Sequence, residues 1–309
     1  MAGLTECIAP AYAESIRSEA DRLGGTVSPS DFLDGVVLGV QPVIVRLGPV
    51  SVRWFGVMVA AGLACGLLYT LRAARARGFE ADDVYACALW AFLAGIVGAR
   101  VFHVVDKLDF YLQNPYSILS PSQVSMSAWG GALCGGVALV ICARRRGLPA
   151  KLLLDAAIPG FVLGQMIGRL GSLVNGESWG APTNLPWGII YLSADSMVPP
   201  NRLGIATHPY AAYELLWGGL ILVVARWLAR RPVPPGALAC TVALLYSIGR
   251  GFLGVWREEG ALLLGLQQAQ VIALAVGLVA LPLLVWLLVR RPVVIGAPVR
   301  PKAPAPPMV

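Results

Sequence analysis

Long apolar stretches recur along this chain, and the segments between them contain most of its arginines. Seven stretches are long enough, or nearly so, to cross the ~30 Å hydrocarbon layer of a bilayer as α-helices. They cover residues 52–71, 84–105, 127–143, 152–173, 210–228, 237–252 and 270–289. The third and sixth are short and contain glycine, so their limits are the least sharply defined. The pattern predicts an all-α integral membrane protein with seven transmembrane helices.

The composition supports this interpretation. Of the 309 residues, 57% are hydrophobic and 13% are charged, and the mean hydropathy is +0.70. Soluble domains carry about 25% charged residues, so this chain has roughly half the usual proportion. An ordinary cytosolic enzyme and a disordered protein are therefore excluded. A nucleic-acid-binding domain is also excluded, in spite of a pI near 9.3.

The segments outside the apolar stretches suggest a division of the chain. Residues 1–41 form a mildly polar extension without the pattern of a cleaved signal peptide, and 12–23 fits one amphipathic surface helix. Residues 42–290 form the seven-span domain. A Pro-containing segment at about 175–207 predicts a small subdomain on the outer face. Alternating Pro and Ala in 291–309 predict a flexible cytoplasmic tail.

The positive charges predict the orientation of the helices. Fourteen of the 24 Lys and Arg residues follow the first, third, fifth and seventh stretches. Cytoplasmic loops are enriched in Lys and Arg, so the N-terminus is predicted outside and the C-terminus in the cytoplasm. Attraction to anionic lipids accounts for part of the net charge of +7. Seven positive residues fall on the predicted outer side: Arg17, Arg22, Arg46, Arg53, Lys107, Arg202 and Arg257.

The three remaining arginines, Arg100, Arg169 and Arg250, lie inside apolar stretches. Each is near the outer end of an even-numbered stretch. Charge within a membrane is costly and marks either function or a paired structural ion. One interpretation is that each side chain reaches the outer interface independently. The other is that three guanidiniums at one depth bind a shared anionic ligand, and arginine suits a phosphate.

Glycines spaced four apart in the fourth stretch predict close helix packing at Gly160, Gly164 and Gly168. The sequence continues from there as GRLGSLVNGESWG, residues 168–180. Its Arg, Asn and Glu are hard to explain by packing alone at the end of a membrane span. Glycines also let the backbone approach a ligand and expose its N–H groups. This segment is therefore a candidate binding site.

Residues 168–180 resemble the signature of the prolipoprotein diacylglyceryl transferases, which is close to GRxGNFxNGExxG. Residues 42–62 resemble the first span of that family and its lead-in. HPYAAYE at 208–214 resembles the family's HPxxxYE segment, and YSIGR at 246–250 resembles its sixth span. The similarity covers roughly 42–290, and the chain is identified as a divergent member.

The resemblance implies an enzyme of the bacterial inner (plasma) membrane. It would transfer the diacylglyceryl group of phosphatidylglycerol to the lipobox cysteine thiol of a prolipoprotein. The products would be a thioether-linked lipid and glycerol 1-phosphate. No metal and no organic cofactor are implied, and the expected partners are phosphatidylglycerol, lipobox-containing prolipoproteins and membrane lipids.

The resemblance also assigns roles to residues. Arg169 and Arg250 match the essential arginines of the family, and we expect them to hold the phosphate and stabilise charge on the leaving group. Arg100 is the third candidate for contact with the phosphate. For Tyr213 and Glu214, a structural cap or ion pair and a substrate contact are both open. The remaining candidate substrate-binding residues match signature positions or follow the sixth span: Ser172, Asn175, Glu177, Gly180 and Arg257.

Four positions depart from the family pattern. Phe55 replaces a usual Tyr, Ser172 a usual Asn and Gly254 a usual Glu. Trp129 stands where the family has the histidine expected to be the general base for the incoming thiol. A thiol of pKa about 8.5 is only a few per cent thiolate at pH 7, so loss of this base is expected to slow transfer by about 10²- to 10⁴-fold.

His103 is a candidate replacement for the base. It lies three residues after Arg100, on the same helix face near the predicted outer end of the second stretch. The alternative is an interfacial histidine without a catalytic role. His208 precedes Pro209, and this favours a role in ordering the entry to the fifth span.

Two other functions stay open at this stage. A non-catalytic paralogue that binds phospholipid or a lipoprotein precursor would keep the arginines and lose the base. A small-anion transporter would also use an arginine cluster, but no convincing inverted repeat is apparent. The six cysteines are scattered without C-x-x-C spacing, and with two histidines in the chain no metal site is expected.

Overall fold

The computed structural model describes residues 35–48, 50–118, 127–258, 260–263 and 265–290. The amphipathic helix predicted at 12–23 and the flexible tail predicted at 291–309 lie outside the described residues. Most of the predicted extension 1–41 lies outside them as well.

Eight α-helices occur within these ranges. They are α1 (Trp54–Arg75), α2 (Ala81–Asp106), α3 (Leu108–Gln113), α4 (Ala128–Arg145), α5 (Ala150–Asn175), α6 (Tyr210–Leu228), α7 (Ala237–Leu253) and α8 (Gln268–Val289). Six of the described helices, α1, α2, α5, α6, α7 and α8, are long and apolar enough to cross a membrane. The chain is thus a helical membrane protein. Helix α4 coincides with the predicted third span, but its 18 residues include Arg144 and Arg145, which make it less apolar as a whole.

Local sequence explains several helix ends. Helix α4 begins after Ser127, whose Oγ accepts a hydrogen bond from the Gly130 N–H at 3.5 Å. Helices α1, α4 and α6 carry arginine in their last turn, where positive charge interacts favourably with the helix dipole. Helix α5 ends at Asn175 because Gly176 adopts a φ of +73°, a left-handed conformation that stops the helix.

Short strands lie between the helices, and they add to the all-α architecture expected from sequence. Strand β4 pairs in parallel with β1 and antiparallel with β5 in a three-stranded sheet. The pairs β2–β3 and β6–β7 form two antiparallel hairpins. The strands are β1 (Gly35–Leu38), β2 (Val43–Leu47), β3 (Val50–Arg53), β4 (Gly188–Tyr191), β5 (Ala206–Thr207), β6 (Ala261–Leu263) and β7 (Leu266–Gln267). Each has at most five residues, too few for a clear alternating pattern in sequence.

The chain divides into two compact units. The first comprises residues 1–63, 163–221 and 245–278, and the second comprises 64–162, 222–244 and 279–309. Buried residues of the first unit include Ile189, Tyr191 and Val198, which pack together beside the signature segment. A larger apolar cluster lies in the second unit: Leu71, Ala74, Phe79, Val84, Cys87, Ala143, Leu153 and Ala156.

The predicted glycine packing occurs at two of its three positions. A Cβ at Gly164 would lie 2.9 Å from the main-chain oxygen of Gly62, and a Cβ at Gly160 would lie 2.5 Å from that of Gly66. At Gly168, outside the backbone of its own helix and its chain neighbours, no atom of the described residues lies within 4 Å of such a Cβ. Packing against α1 therefore explains the first two glycines, whereas the third borders open space.

Candidate active site

A shared carboxylate brings together two of the arginines predicted from sequence. Nη1 of Arg169, near the end of α5, lies 2.9 Å from Oε2 of Glu214 on α6. Nη1 of Arg250, in the last turn of α7, contacts the other oxygen of Glu214. The three side chains are 16%, 10% and 9% exposed for Arg169, Arg250 and Glu214. Of the two roles left open for Glu214, the ion pair is the one observed.

Tyr210 connects this cluster to Arg257. The Tyr210 hydroxyl accepts a hydrogen bond from Nη1 of Arg250 at 2.8 Å. Its ring centre lies 5.8 Å from Cζ of Arg250 and 5.3 Å from Cζ of Arg257, which is cation–π distance. The tyrosine is fully buried. Arg257 is therefore adjacent to the cluster through an aromatic ring.

The signature segment is held by hydrogen bonds among its own side chains. Ser172 donates to Oε1 of Glu177 at 2.8 Å, and Nδ2 of Asn175 donates to Oε2 of the same carboxylate at 3.0 Å. Ser172 and Asn175 are each 3% exposed. Both oxygens of Glu177 thus accept from neighbouring residues, so this turn has a fixed shape. Ser172 makes this contact at the position where the family pattern has Asn.

Two further contacts involve the segment, one inside it and one to the β2–β3 hairpin. Nη1 of Arg169 donates to the buried Ser178 hydroxyl at 3.3 Å. Nη1 of Arg53, at the end of β3, donates to Oδ1 of Asn175 at 3.0 Å. Ser178 therefore contacts one of the two clustered arginines within the segment, and Arg53 joins the segment to the β2–β3 hairpin.

Gly180 lies where three main-chain segments meet. Its N–H donates to the main-chain oxygen of His208 at 3.1 Å, and the next N–H, of Ala181, donates to that of Trp256 at 2.9 Å. A Cβ at Gly180 would lie 2.6 Å from Cβ of His208 and 2.7 Å from the main-chain oxygen of Trp256. Glycine is required here by close packing.

His208 belongs to an aromatic cluster beside this glycine. Its Nδ1 lies 3.2 Å from the hydroxyl of Tyr213, and that hydroxyl also accepts from Nε1 of Trp187 at 3.0 Å. The ring of Trp256 lies 6.3 Å from that of His208. Burial lowers the pKa of His208 below its usual value. The ring is thus neutral at pH 7, and it lies at the entry to α6 as its sequence position suggested.

Arg100 and His103, two further candidates from sequence, belong to the second unit. Nε and Nη2 of Arg100 donate to the main-chain oxygens of Ile118 and Ser117 at 3.0 and 2.8 Å. The buried Tyr111 ring lies 5.6 Å from Cζ of Arg100 and packs edge-on against the His103 ring at 6.0 Å. These contacts give Arg100 a local structural role.

Three of the departures from the family pattern have a visible local context. The space that a side chain at Gly254 would need is occupied by Gln270, whose Cγ would lie 3.0 Å from the added Cβ. The backbone of Phe55 packs against Gly171, because a Cβ added at Gly171 would lie 2.9 Å from Cα of Phe55. Trp129 is the second residue of α4.

Sequence reasoning assigned no role to three residues of this site, Arg53, Ser178 and Tyr210. Arg53 counts among the outer charges, because it is the second residue of the stretch 52–71 and nothing in its neighbourhood distinguishes it. Tyr210 could have been noticed as a third polar group beside Tyr213 and Glu214 in the first turns of one helix. Within the described ranges, His, Cys, Asp and Glu side chains nowhere gather in threes as a metal centre requires.

Comparison with known proteins identifies the family of this chain. The family model for prolipoprotein diacylglyceryl transferase matches residues 42–286. Similar proteins, each named phosphatidylglycerol–prolipoprotein diacylglyceryl transferase, occur in several bacteria. The one from Synechococcus elongatus is 32% identical over 80% of this chain and 87% of its own length. Those from Gloeobacter violaceus and Mycobacteroides abscessus are 32% and 34% identical, over 81% and 70% of this chain and 93% and 68% of their own lengths. The chain therefore belongs to the prolipoprotein diacylglyceryl transferase family.

Proposed function

We propose that this protein transfers the diacylglyceryl group of phosphatidylglycerol to the lipobox cysteine thiol of prolipoproteins. Family membership and the names of the relatives support both the donor and the acceptor. The six described helices of membrane length support a lipid substrate. Its partners are then phosphatidylglycerol, lipobox-containing prolipoproteins and the surrounding membrane lipids.

One observation carries the proposal: Arg169 and Arg250 share the single carboxylate of Glu214. Two guanidiniums and one carboxylate have a formal net charge of +1. The phosphodiester of phosphatidylglycerol carries one negative charge, so its binding would neutralise the cluster. Arginine donors are arranged as a planar fork that matches two phosphate oxygens, which favours an anionic headgroup over a neutral solute.

The proposed chemistry is displacement at a carbon of the diacylglyceryl group, the carbon that is bonded to a phosphate oxygen. The acceptor thiol loses its proton, the sulfur forms a bond to that carbon, and the bond from the carbon to the phosphate oxygen breaks. The electron pair stays on glycerol phosphate. Arg169 and Arg250 would stabilise the charge that develops on this leaving group. Arg257 would add positive charge beside them.

The base for the thiol stays a prediction, with His103 as the candidate. Its ring packs against Tyr111, and removal of the imidazole is expected to lower transfer without changing lipid binding. Unchanged turnover by His103→Ala would eliminate it. The phosphate contact predicted for Arg100 is tested in the same way, by the effect of Arg100→Ala on the KM for phosphatidylglycerol.

We also infer that α4 is a seventh span, so that the N-terminus lies outside and the C-terminus lies in the cytoplasm of a bacterial inner membrane. The excess of Lys and Arg after alternate spans supports this orientation. Single cysteines in a variant without native cysteines, labelled from one side in intact cells, test it. Labelling is expected near Met197 and not near Arg230, and the reverse pattern would overturn the orientation.

The function is tested with the purified full chain in bilayer nanodiscs and a fluorescent lipobox peptide. Nanodiscs containing phosphatidylglycerol should yield diacylglyceryl-peptide, detected by mass, and equimolar glycerol phosphate. Nanodiscs of phosphatidylcholine alone should yield neither. Arg169→Ala and Arg250→Ala should each lower the rate by about 10²- to 10³-fold, as removal of a donor to a developing charge does.

Other results would select other functions. Binding of phosphatidylglycerol without product would support the non-catalytic paralogue and contradict the proposal. Phosphate flux into proteoliposomes without product would support the transporter.

A further inference from the structure

Arg53 is a basic residue near the proposed site that the proposed chemistry does not use. It is the last residue of β3 and directly precedes α1. Its Nη1 donates to Oδ1 of Asn175 at 3.0 Å and to the main-chain oxygen of Asp195 at 2.9 Å. One guanidinium nitrogen thus joins the β2–β3 hairpin to two segments that lie more than 120 residues away in sequence.

The bond from Arg53 fixes the orientation of the Asn175 amide. A guanidinium can only donate and an ionised carboxylate can only accept. Oδ1 of Asn175 must therefore face Arg53, and Nδ2 must face Glu177, whose Oε2 lies 3.0 Å away. Oε1 of Glu177 accepts from Ser172 at 2.8 Å. The result is a continuous hydrogen-bond chain from Arg53 through Asn175 and Glu177 to Ser172.

Glu177, a member of this chain, adjoins the residue that contacts Arg169. Ser178 directly follows Glu177 and accepts from Nη1 of Arg169 at 3.3 Å. Ser178 is 4% exposed, and Asn175 is 3% exposed. Buried segments of proteins are closely packed, so a change in the Asn175 amide is transmitted to the neighbouring residues of this turn. A shift of this turn would therefore move Ser178 and, with it, the guanidinium of Arg169.

We propose that Arg53 is a positioning residue for diacylglyceryl transfer. It holds the amide of Asn175, and through the turn at Glu177 and Ser178 it holds Arg169 in place against Glu214. This inference rests on the function proposed above. It differs from a role in substrate binding because Arg53 acts through Asn175.

Arg46 provides a matched control. It lies on β2, where its register partner Ser51 is two residues before Arg53. It also contacts Asp195, but through the carboxylate, and its side chain is 65% exposed. Exposed ion pairs of this kind contribute little. Arg46→Ala therefore removes an arginine from the same hairpin and a contact to the same residue without altering Asn175.

Steady-state kinetics in phosphatidylglycerol nanodiscs test the proposal. Arg53→Ala is expected to lower kcat by about 10²-fold, the size of effect that a displacement near 1 Å produces. Arg53→Lys should recover part of this loss, since an ammonium can also donate to Oδ1 of Asn175. Arg46→Ala should keep the wild-type kcat. Wild-type kcat in Arg53→Ala, or an equal loss in Arg46→Ala, would overturn the proposal.

A double-mutant cycle keeps the test decisive where Arg53→Ala does not fold. Arg53→Lys should lower kcat in the wild-type background and have no further effect in Asn175→Ala. Independent, multiplying effects would overturn a role that operates through Asn175. A wild-type protein that forms no product would overturn the proposed function itself, whereas active wild type with unaffected Arg53 variants would overturn only this inference.

Discussion

Nη1 of Arg169 lies 2.9 Å from Oε2 of Glu214, and neither side chain is more than 16% exposed. The second oxygen of Glu214 contacts Arg250. One acidic side chain of α6 thus connects basic side chains from the ends of α5 and α7. In a poorly solvated environment, a guanidinium next to another guanidinium is costly unless a carboxylate lies between them.

The first prediction concerns this shared carboxylate. Glu214→Gln keeps the size of the side chain but removes the charge that separates the two guanidiniums. Breaking a buried ion pair by removing one partner costs about 3–5 kcal/mol, so we expect a loss of that size in the free energy of unfolding. Unfolding of the purified protein in detergent measures it.

Glu258→Gln is the matched control for Glu214→Gln. Glu258 pairs with Arg202, and its side chain is 38% exposed. Removal of an exposed partner is expected to cost only ~0.2–1 kcal/mol. Equal losses of unfolding free energy in the two variants would show that burial of Glu214 does not determine its contribution to stability.

The second prediction follows from the orientation of the Asn175 amide. In Asn175→Asp a carboxylate oxygen takes the place of Nδ2. Nδ2 lies 3.0 Å from Oε2 of Glu177, so the variant would bring two carboxylates together. Two carboxylates at this distance repel each other and protonation of one relieves the repulsion, so the folded variant would be least stable when both are ionised.

The unfolding temperature of Asn175→Asp should therefore be well below that of the wild type at pH 8 and should approach it as the pH falls toward 5. Asn175→Ala removes the same hydrogen bonds without adding charge, so its deficit should vary less with pH than that of Asn175→Asp. Parallel pH profiles for the two variants would contradict the assigned amide orientation.

The third prediction compares two glycines of the signature segment. A Cβ at Gly180 would lie 2.7 Å from main-chain oxygens of both His208 and Trp256, whereas one at Gly168 would meet no atom of the described residues within 4 Å outside its own helix backbone and chain neighbours. Gly180→Ala should therefore lower the free energy of unfolding by about 1–3 kcal/mol through overpacking. Gly168→Ala, inside α5, should raise it by ~0.5–1 kcal/mol through helix propensity.

Unfolding in detergent measures both glycine variants under identical conditions. Equal changes in the two would mean that close packing does not explain the glycine at 180.

The sequence predicted the charged centre of the site better than its framework. Arg169 and Arg250 were identifiable because a charge inside an apolar stretch is conspicuous, and the limits 152–173 predicted for one span lie within α5 (Ala150–Asn175). Arg53 carries no such signal, because an arginine at the start of a span resembles a topological charge. Its role depends on a contact with Asn175, 122 residues away.

The same reasoning that identified Arg169 also identified Arg100, whose contact with the phosphate stays a prediction. The Arg100 guanidinium donates to main-chain oxygens of Ser117 and Ile118. Hydropathy registers the cost of a charge in a span but not which acceptor compensates it. The strands were missed for a physical reason too: strand β5, with two residues, depends on pairing with β4 and has no intrinsic pattern.

The fourth prediction concerns His208 and acid. Burial lowers the pKa of this histidine below 6.5, and it lies outside the membrane-length helices. Well above pH 6.5 the ring is neutral in both the folded and unfolded states, so its effect on stability is constant there. As the pH falls below 6.5 the unfolded chain binds a proton that the folded protein does not, and stability is lost until the pH passes the lower, folded pKa.

Unfolding temperatures from pH 8 to pH 5 should therefore fall less steeply in His208→Asn than in the wild type. The asparagine side chain can still form a hydrogen bond near the Tyr213 hydroxyl, so the two proteins should differ little at pH 8. Identical slopes below pH 6.5 would mean that protonation of His208 does not contribute to acid unfolding.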